Sequence, residues 1–538
     1  MSSTPTSTLE QDANIKNGVS RAIFAALAII LQLAFLIVTI VRFHRFAHWI
    51  NIVTSILSIL LVLGIYSQHR SATIRMTWII VILAFPIFGV TMYLLIGLNG
   101  STHAMRKRYD DIDRRLLPLL PDNESQQKEL RQAVPAFANI ARYLKKYAGC
   151  PVWKNTAVTY YPDAAEGLEA QLADLKKAEK FIFMEYHAIE DKISFRKIVN
   201  VLREKVQEGV EVRIFYDDIG SLGFINMDFV KRMEALGIHC RVFNPVGPWI
   251  NLFLNNRDHR KITVIDGKVG FTGGYNLADE YFHITSPYGF WKDTGIRLEG
   301  PAVRSLTVIF LEMWNAVTKN DEDDADFSRY LPPFSKESAS SGGLIAPGSA
   351  ENLRSACGFV QPYADSPLDE EHVGENVYMS MAEGATNYVW FMTPYLIITD
   401  EMSHTLSLAA KRGVDVRIIT PGIPDKKLIY QLTRSYYAQL VRNGIRIFEY
   451  TPGFCHAKMA VADDAAAVCG TINLDYRSLY HHFENGCILY GDPAVLEIKK
   501  DFESCFPVCR EVTEQYSSGR SSILRIGQLI LRLFGPLM

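Results

Sequence analysis

The chain lacks any strong charge of one sign and any ordered cysteine pattern. Over 538 residues, 56 lysines and arginines face 58 aspartates and glutamates, for a formal charge of −2. No broad basic field is available to attract DNA or RNA, and no nucleic-acid partner is expected. The eight cysteines (Cys150, Cys240, Cys357, Cys455, Cys469, Cys487, Cys505, Cys509) show no C-x-x-C spacing. Neither a zinc site nor a disulfide framework is therefore indicated, and scattered thiols suit a reducing cytoplasm. The acidic run Asp321, Glu322, Asp323, Asp324 falls in an aperiodic stretch of acid, proline and serine, Thr318 to Gly343. Such a run reads as a solvated linker and not as a metal site. At this length two or three compact units are expected.

Apolar sequence, by contrast, is concentrated at the start. AIFAALAIILQLAFLIVTIV fills the space between Arg21 and Arg42, and further stretches cover about 22–41, 49–68 and 76–97 in all. Each is long enough to cross a hydrocarbon core of about 30 Å as a helix. The first exceeds the apolar part of a signal peptide and has no small-x-small cleavage site. Trp49, Tyr66, Trp78 and Tyr93 lie near the ends of the second and third stretches, where aromatic belts meet lipid headgroups. Pro86 is expected to kink the third helix and not to end it. Three spans place Arg42 and Arg45 on one side with Arg106, Lys107, Arg108, Arg114 and Arg115, against Lys16, Arg21, Arg70 and Arg75. The positive-inside rule then puts everything after Gly97 in the cytoplasm, as would two spans with an internal N-terminus.

From about residue 150 the chain alternates strand and helix patterns, and it does so twice. KFIFMEYHAI (Lys180 to Ile189) matches YVWFMTPYLI (Tyr388 to Ile397), GVEVRIFYDD (Gly209 to Asp218) matches GVDVRIITPG (Gly413 to Gly422), and GIHCRVF (Gly237 to Phe243) matches GIRIFEY (Gly444 to Tyr450). The fold class is α/β, two similar repeats packed side by side. The expected organisation is a polar tail (1–20), transmembrane helices (21–98), a connecting segment (99–150), a first repeat (151–317), a linker (318–350), a second repeat (351–515) and an amphipathic C-terminal helix (516–538).

Each repeat then carries His-x-Lys-x-x-x-x-Asp: HRKITVID at His259 to Asp266 and HAKMAVAD at His456 to Asp463. Strand alternation directs His259 with Lys261, and His456 with Lys458, to one face. Asp266 and Asp463 complete the motifs and count as candidate catalytic residues, yet they have the other parity. They fall in D-G and D-D turn signals, so neither is expected to touch its own histidine. Gly273 and Gly470 both lie 14 residues after their histidine, and Asn276 and Asn473 both 17. Glycine lets backbone approach a ligand closely, and N–H groups beside a helix start suit an anion. Paired histidines, lysines and asparagines around one cleft describe a phosphoryl site whose cations are side chains, with no cofactor or metal expected. A lone strand histidine is ordinarily core or surface; two at matched offsets point to catalysis.

HRKITVID with GGYN, and HAKMAVAD with GTINLDYRS, resemble the two His-Lys-Asp motifs of the phospholipase D superfamily. PIFGVTMYLLIG, WKDTGIRLEGPAV (Trp291 to Val303) and QPYADSP (Gln361 to Pro367) narrow the resemblance to the bacterial cardiolipin synthases. It covers the chain from about the third apolar stretch to the end, with Gly-Thr in the second copy where many relatives have Gly-Ser. The resemblance implies that one histidine attacks a phosphodiester to give a phosphohistidine while the other serves as acid and then base. It makes His259 the nucleophile and His456 the acid and base, roles the sequence alone leaves interchangeable. It also implies Asn276 and Asn473 beside the lysines on the phosphate, Glu484 orienting His259, and Asp293 orienting His456. Its implied partners are the bilayer and its phospholipids, two phosphatidylglycerols giving cardiolipin and glycerol. Another phosphatidyltransferase, a phospholipid hydrolase, a membrane-tethered nuclease and a scaffold with a dead site are the rival readings. In the tail SSILRIGQLILRLFGPLM, Ile523, Ile526, Ile530 and Leu533 share a helical face, with Arg525 and Arg532 elsewhere, which suits either docking on the core or lying on anionic lipid.

Overall fold

The computed structural model describes residues 47–68, 71–94, 102–245, 256–318, 326–332, 358–369, 371–517 and 531–537, with single positions between them. The first repeat folds around one seven-stranded sheet. Its strands are β1 (Ala157–Tyr161), β2 (Phe181–Tyr186), β3 (Glu211–Asp217), β4 (His239–Phe243), β6 (Lys261–Ile265), β7 (Val269–Gly273) and β8 (Gly295–Glu299), in the order β1-β8-β7-β6-β2-β3-β4. A two-residue strand, β5 (Arg257–Asp258), precedes β6 and leaves this sheet.

The second repeat repeats that order. β9 (Phe359–Asp365), β10 (Tyr388–Met392), β12 (Asp415–Pro421), β13 (Arg446–Tyr450), β14 (Met459–Ala462), β15 (Ala466–Gly470) and β17 (His482–Tyr490) run β9-β17-β15-β14-β10-β12-β13, with β18 (Cys509–Glu511) added beyond β13. The short strands β11 (Leu396–Ile397) and β16 (Leu474–Asp475) pair separately. In both repeats the strands joined by helices are parallel (β2-β3-β4; β10-β12-β13), while the motif hairpin and its outer neighbours are antiparallel. Apolar runs such as Phe181–Tyr186 and Tyr388–Met392 are buried along their whole length, as expected of strands covered on both faces. The expected strand Tyr388 to Ile397 is split: it stops at Met392 and resumes as β11, because Pro394 has no N–H for a ladder.

The repeats exchange short pieces of strand. β5 pairs in parallel with β17 of the other repeat, His482 against Arg257 and Phe483 against Asp258. Reciprocally, Lys292 bridges to Cys455. Each exchange ends one residue short of a motif histidine, which seats that histidine against the opposite repeat.

Among the described residues, no helix is long and apolar enough to cross a membrane. The first expected span, 22–41, lies outside them but for isolated helical positions. The second corresponds to the helix Ala47–Tyr66, from which Trp49, Val53, Leu60 and Leu63 project with more than half their surface exposed. The third is not one kinked helix. Ala72–Ala84 stops at Phe85 (φ −136°, ψ 74°) and Pro86–Met92 restarts beyond it. The proline ring disfavours a helical residue before it, and Gly89 lets the second piece fold back until its backbone meets Val81 and Ile82.

The acidic run differs from its expected solvated state at Asp324, which is 3 % exposed and forms a two-pronged ion pair with Arg213 at 2.6 and 2.8 Å. Phe327, Tyr330 and Leu331 are buried beside it, so this part of the linker is packed on the first repeat. The described end of the chain docks as well. Arg532 lies 4.3 Å over Tyr436 and donates to Gln439, while Thr77 donates to the Leu533 carbonyl at 3.0 Å; Ile523, Arg525, Ile526 and Ile530 lie outside the described residues.

Candidate active site

Each motif histidine is fixed through its backbone before its side chain is used. Arg257 reaches Asp217 at 2.7 Å and the Asp258 amide donates to the same carboxylate at 3.0 Å, which holds β5. The His259 amide then donates to the Phe483 carbonyl at 2.8 Å. On the other side Lys292 forms a buried ion pair with Asp501 at 2.7 Å, and the His456 amide donates to the Lys292 carbonyl at 2.8 Å.

The side chains follow. His259 Nδ1 lies 2.9 Å from both carboxylate oxygens of Glu484. His456 Nδ1 lies 2.6 Å from Asp293 Oδ2. Both pairs cross between repeats, and all four residues are buried. An ionised carboxylate on Nδ1 holds the ring proton there and leaves the lone pair on Nε2.

Lys261 Nζ donates to the His259 carbonyl at 2.6 Å, and Lys458 Nζ packs against His456, 2.7 Å from Nδ1 and 3.1 Å from Nε2. Burial pulls Lys261 down to about 7, with Glu484 opposing and Lys458 adding to the fall. It pulls Lys458 down to about 8 against the carboxylates of Asp293 and Glu484. Burial also lowers both histidines, His259 well below its usual value and His456 to about 4, where Asp293 resists. Each lysine acts on the histidine of the other half, so the two motifs share one electrostatic site.

The carboxylates differ. Burial would raise Asp293, but Lys458 and His456 outweigh it and hold it below the usual range. Burial wins for Glu484 and pushes it well above, Lys261 and Thr471 notwithstanding. Thr471 donates its hydroxyl to Glu484. The matching residue in the first repeat is Gly274, where a Cβ would stand 2.1 Å from Asp293 Oδ1.

The structure gives four of the expected site residues structural partners. Asp266 accepts from the amides of Glu179, Lys180 and Phe181 at 2.8 to 2.9 Å, and Asp463 likewise from Thr386, Asn387 and Tyr388. With φ of 54° at Asp266, 65° at Gly267, 50° at Asp463 and 57° at Asp464, these are left-handed hairpin turns tied to the start of the neighbouring strand. Each motif aspartate thus ties its hairpin to the neighbouring strand, and these hydrogen bonds run to strand amides, not to a motif histidine. Gly273 and Gly470 are strand residues whose Cβ would strike Thr294 O at 2.4 Å and Asn485 O at 2.6 Å. The Gly470 N–H is spent on the Lys458 carbonyl. Both glycines permit close strand approach.

Asn276 accepts from the Ala188 amide at 3.1 Å and donates to Tyr281 at 2.8 Å; its amide nitrogen has a second hydrogen to offer. Asn473 bonds Asp475, and its buried Oδ1 has no partner. Sequence reading missed the rings around each histidine. His187 and His482 lie 4.9 and 5.3 Å from His259, whereas Tyr281, Trp291 and Phe454 lie 5.2, 5.5 and 5.8 Å from His456. His482-x-Glu484 on one strand was the available signal, since alternate residues share a face.

Two matched repeats, each lending a histidine and a lysine to one buried cleft and a carboxylate to the other's histidine, define a phospholipase D-type phosphoryl-transfer site. Residues 172–314 and 378–506 match the family described as "Cardiolipin synthase, PLD-like domain", and residues 55–97 match "Phospholipase_D-nuclease N-terminal". The chain belongs to this cardiolipin synthase, phospholipase D-like family. It is 31 % identical to a cardiolipin synthase of Geobacillus kaustophilus, over 90 % of this chain and 92 % of that one. It is also 31 % identical to a cardiolipin synthase of Staphylococcus aureus, over 88 % and 93 %. An uncharacterized protein of Streptococcus mutans is 42 % identical over 89 % of this chain and 99 % of its own. The crystal structure of a Haemophilus influenzae phosphatidylserine synthase shares the fold at 16 % identity, with a TM-score of 0.53 over 74 % of this chain and 97 % of that one.

Proposed function

We propose that the protein is a cardiolipin synthase that moves a phosphatidyl group from one phosphatidylglycerol to another through a phosphohistidine, releasing glycerol. The observation that carries this reading is the reciprocal pairing of His259 with Glu484 and His456 with Asp293 across the repeats. Neutral His259, its Nδ1 proton held by Glu484, attacks phosphorus through Nε2. His456, whose cation Asp293 stabilises, protonates the departing glycerol oxygen and then deprotonates the incoming hydroxyl. Lys261 and Lys458 offset charge on the non-bridging oxygens, with Asn276 and Asn473 beside them. The outward apolar residues of Ala47–Tyr66 support anchoring of the N-terminal part in the cell membrane, with the catalytic repeats on the cytoplasmic side, where both substrates are concentrated.

The test is reconstitution of the purified chain in vesicles with head-group-labelled phosphatidylglycerol. Equal cardiolipin and glycerol, lost in His259→Ala and in His456→Ala, is the expected result. Phosphatidic acid without cardiolipin would make it a hydrolase, and a product requiring serine or ethanolamine would make it a different transferase.

A further inference from the structure

The surroundings of His259 hold more ligating groups than the reaction uses. His482 stands two residues before Glu484 on β17, so both side chains leave the same face of the strand. Its Nδ1 lies 3.4 Å from Glu484 Oε1, on a side chain only 10 % exposed, and has no hydrogen-bond partner. Nε2 of the same ring faces Arg477 at 3.2 Å, which leaves Nδ1 as the nitrogen aimed at Glu484. A buried ring nitrogen without a partner calls for an explanation. The ligating atoms of His259, His482 and Glu484 all lie within 4.8 Å of one another. A tetrahedral ion with bonds of about 2.0 to 2.2 Å needs ligand atoms about 3.3 Å apart, close to the 2.9 Å from His259 Nδ1 to Glu484 and the 3.4 Å from His482 Nδ1. His187 is not needed for the set, because its Nδ1 is engaged by the Asp258 carbonyl at 2.7 Å.

We propose that His259, His482 and Glu484 form an inhibitory binding site for a borderline divalent cation such as Zn2+, with its fourth position open to water. Two imidazoles and one carboxylate suit zinc and discriminate against magnesium, which prefers oxygen ligands. The inhibitory step, which rests on the reaction read above, is a change of tautomer. The ion takes the place of the proton between His259 Nδ1 and Glu484, the His259 ring proton moves to Nε2, and the lone pair that would attack phosphorus is gone. On His482 the ion displaces the Nδ1 proton, which moves to Nε2 as Arg477 gives up its hydrogen bond there. Any proton on Glu484 is released to solvent. Removing the ion with a chelator restores the attacking form.

The test measures metal uptake and turnover separately on the full chain, using Zn2+ alone, Co2+ as a visible reporter of tetrahedral geometry and Mg2+ as control. Wild type is expected to hold one Zn2+ per chain by equilibrium dialysis, to give a tetrahedral Co2+ spectrum, and to lose turnover reversibly on Zn2+ addition. His482→Asn is expected to bind Zn2+ about tenfold more weakly or worse and, measured against its own metal-free turnover, to lose a far smaller fraction on Zn2+ addition than wild type does. His482→Gln serves if the asparagine variant melts early. Equal zinc uptake by wild type and a folded variant would overturn the site, and tight uptake without inhibition would overturn the tautomer step. Metal uptake needs no lipid substrate, so it decides the site even if vesicles yield no cardiolipin.

Discussion

Replacing Asp293 with asparagine removes one oxygen's charge and little else, and the structure indicates which way the amide must turn. Asp293 Oδ1 accepts from the Thr294 amide at 2.9 Å, while Oδ2 faces His456 Nδ1 at 2.6 Å. The new amide oxygen has to occupy the Oδ1 position, because an NH2 there would confront the Thr294 N–H. The amide nitrogen then faces His456 and donates to Nδ1, which drives the ring proton to Nε2. His456 in that form cannot take a proton from the incoming hydroxyl, and its cation has lost its counter-charge. A unit charge at about 4 Å contributes about 4 kcal/mol at an effective dielectric of 20, or roughly 10³-fold in rate. The forced tautomer brings the expected loss in kcat to roughly 10³- to 10⁴-fold, comparable with the tautomer effect known for an Asp-His pair in another hydrolytic site. The assay is cardiolipin formation in vesicles, beside a melting curve showing an intact fold. A variant that keeps more than about a tenth of wild-type kcat, well outside that range, would refute the orientation argument.

Three further outcomes follow from the same geometry. Asp266→Ala strips three strand amides of a charged acceptor, so urea unfolding should show a loss of about 3 kcal/mol or more while kcat per folded molecule is kept; a fall in kcat with unchanged stability would keep the residue in the catalytic set. The free enzyme's kcat/KM should fall as pH rises through about 7 and then about 8, where Lys261 and Lys458 lose the protons that face phosphate. Stability from these two groups runs the opposite way: their lowered folded values penalise the fold at low pH, and the penalty is relieved from about 7 toward the ordinary lysine range near 10.4, so an activity loss that tracks unfolding would contradict the assignment. Asp324→Ala removes the fully buried one of the two carboxylates on Arg213, Glu211 remaining, and should cost about 1.5 to 3 kcal/mol by denaturant titration, whereas a neutral result would show that this linker segment is not docked in solution.

The repeat and its hairpins were legible because their signals are local. Alternating apolar residues, D-G and D-D turns and the matched offsets of His259 and His456 are properties of short windows, and so was the separation of the motif aspartates from their histidines. Positions decided by distant chain were not legible. Gly273 and Gly470 read as anion-binding glycines, and the close approach of Thr294 and Asn485 to them shows only in the fold. Asp324 looks solvated until Arg213, 111 residues earlier, reaches it. Pro86 was read as a kink because the fold-back at Gly89 depends on packing against Val81 and Ile82. The cross-pairing of Glu484 and Asp293 came from the resemblance alone; its physical basis, the strand exchange through β5 and Lys292, is invisible in either repeat by itself.

That exchange also bears on which histidine does what. The two halves share a plan but not a carboxylate: the longer Glu484 accepts a hydrogen bond from the Thr471 hydroxyl, and the shorter Asp293 fits because Gly274 has no side chain. Asp293 is held as an anion by Lys458, whereas burial favours the protonated form of Glu484. An anion on Nδ1 stabilises an imidazolium, so His456 is the ring better able to carry a proton between two alcohols. A carboxylate whose charge burial disfavours does less to stabilise an imidazolium on His259; so long as its oxygen accepts the Nδ1 proton, the ring is neutral and the Nε2 lone pair is free. The difference between the halves thus supports His259 as nucleophile and His456 as acid and base on grounds independent of family likeness. By the same logic Glu484→Asp should not be silent: the shorter side chain would give up either Thr471 or His259, and the attacking ring would lose the contact that fixes its tautomer.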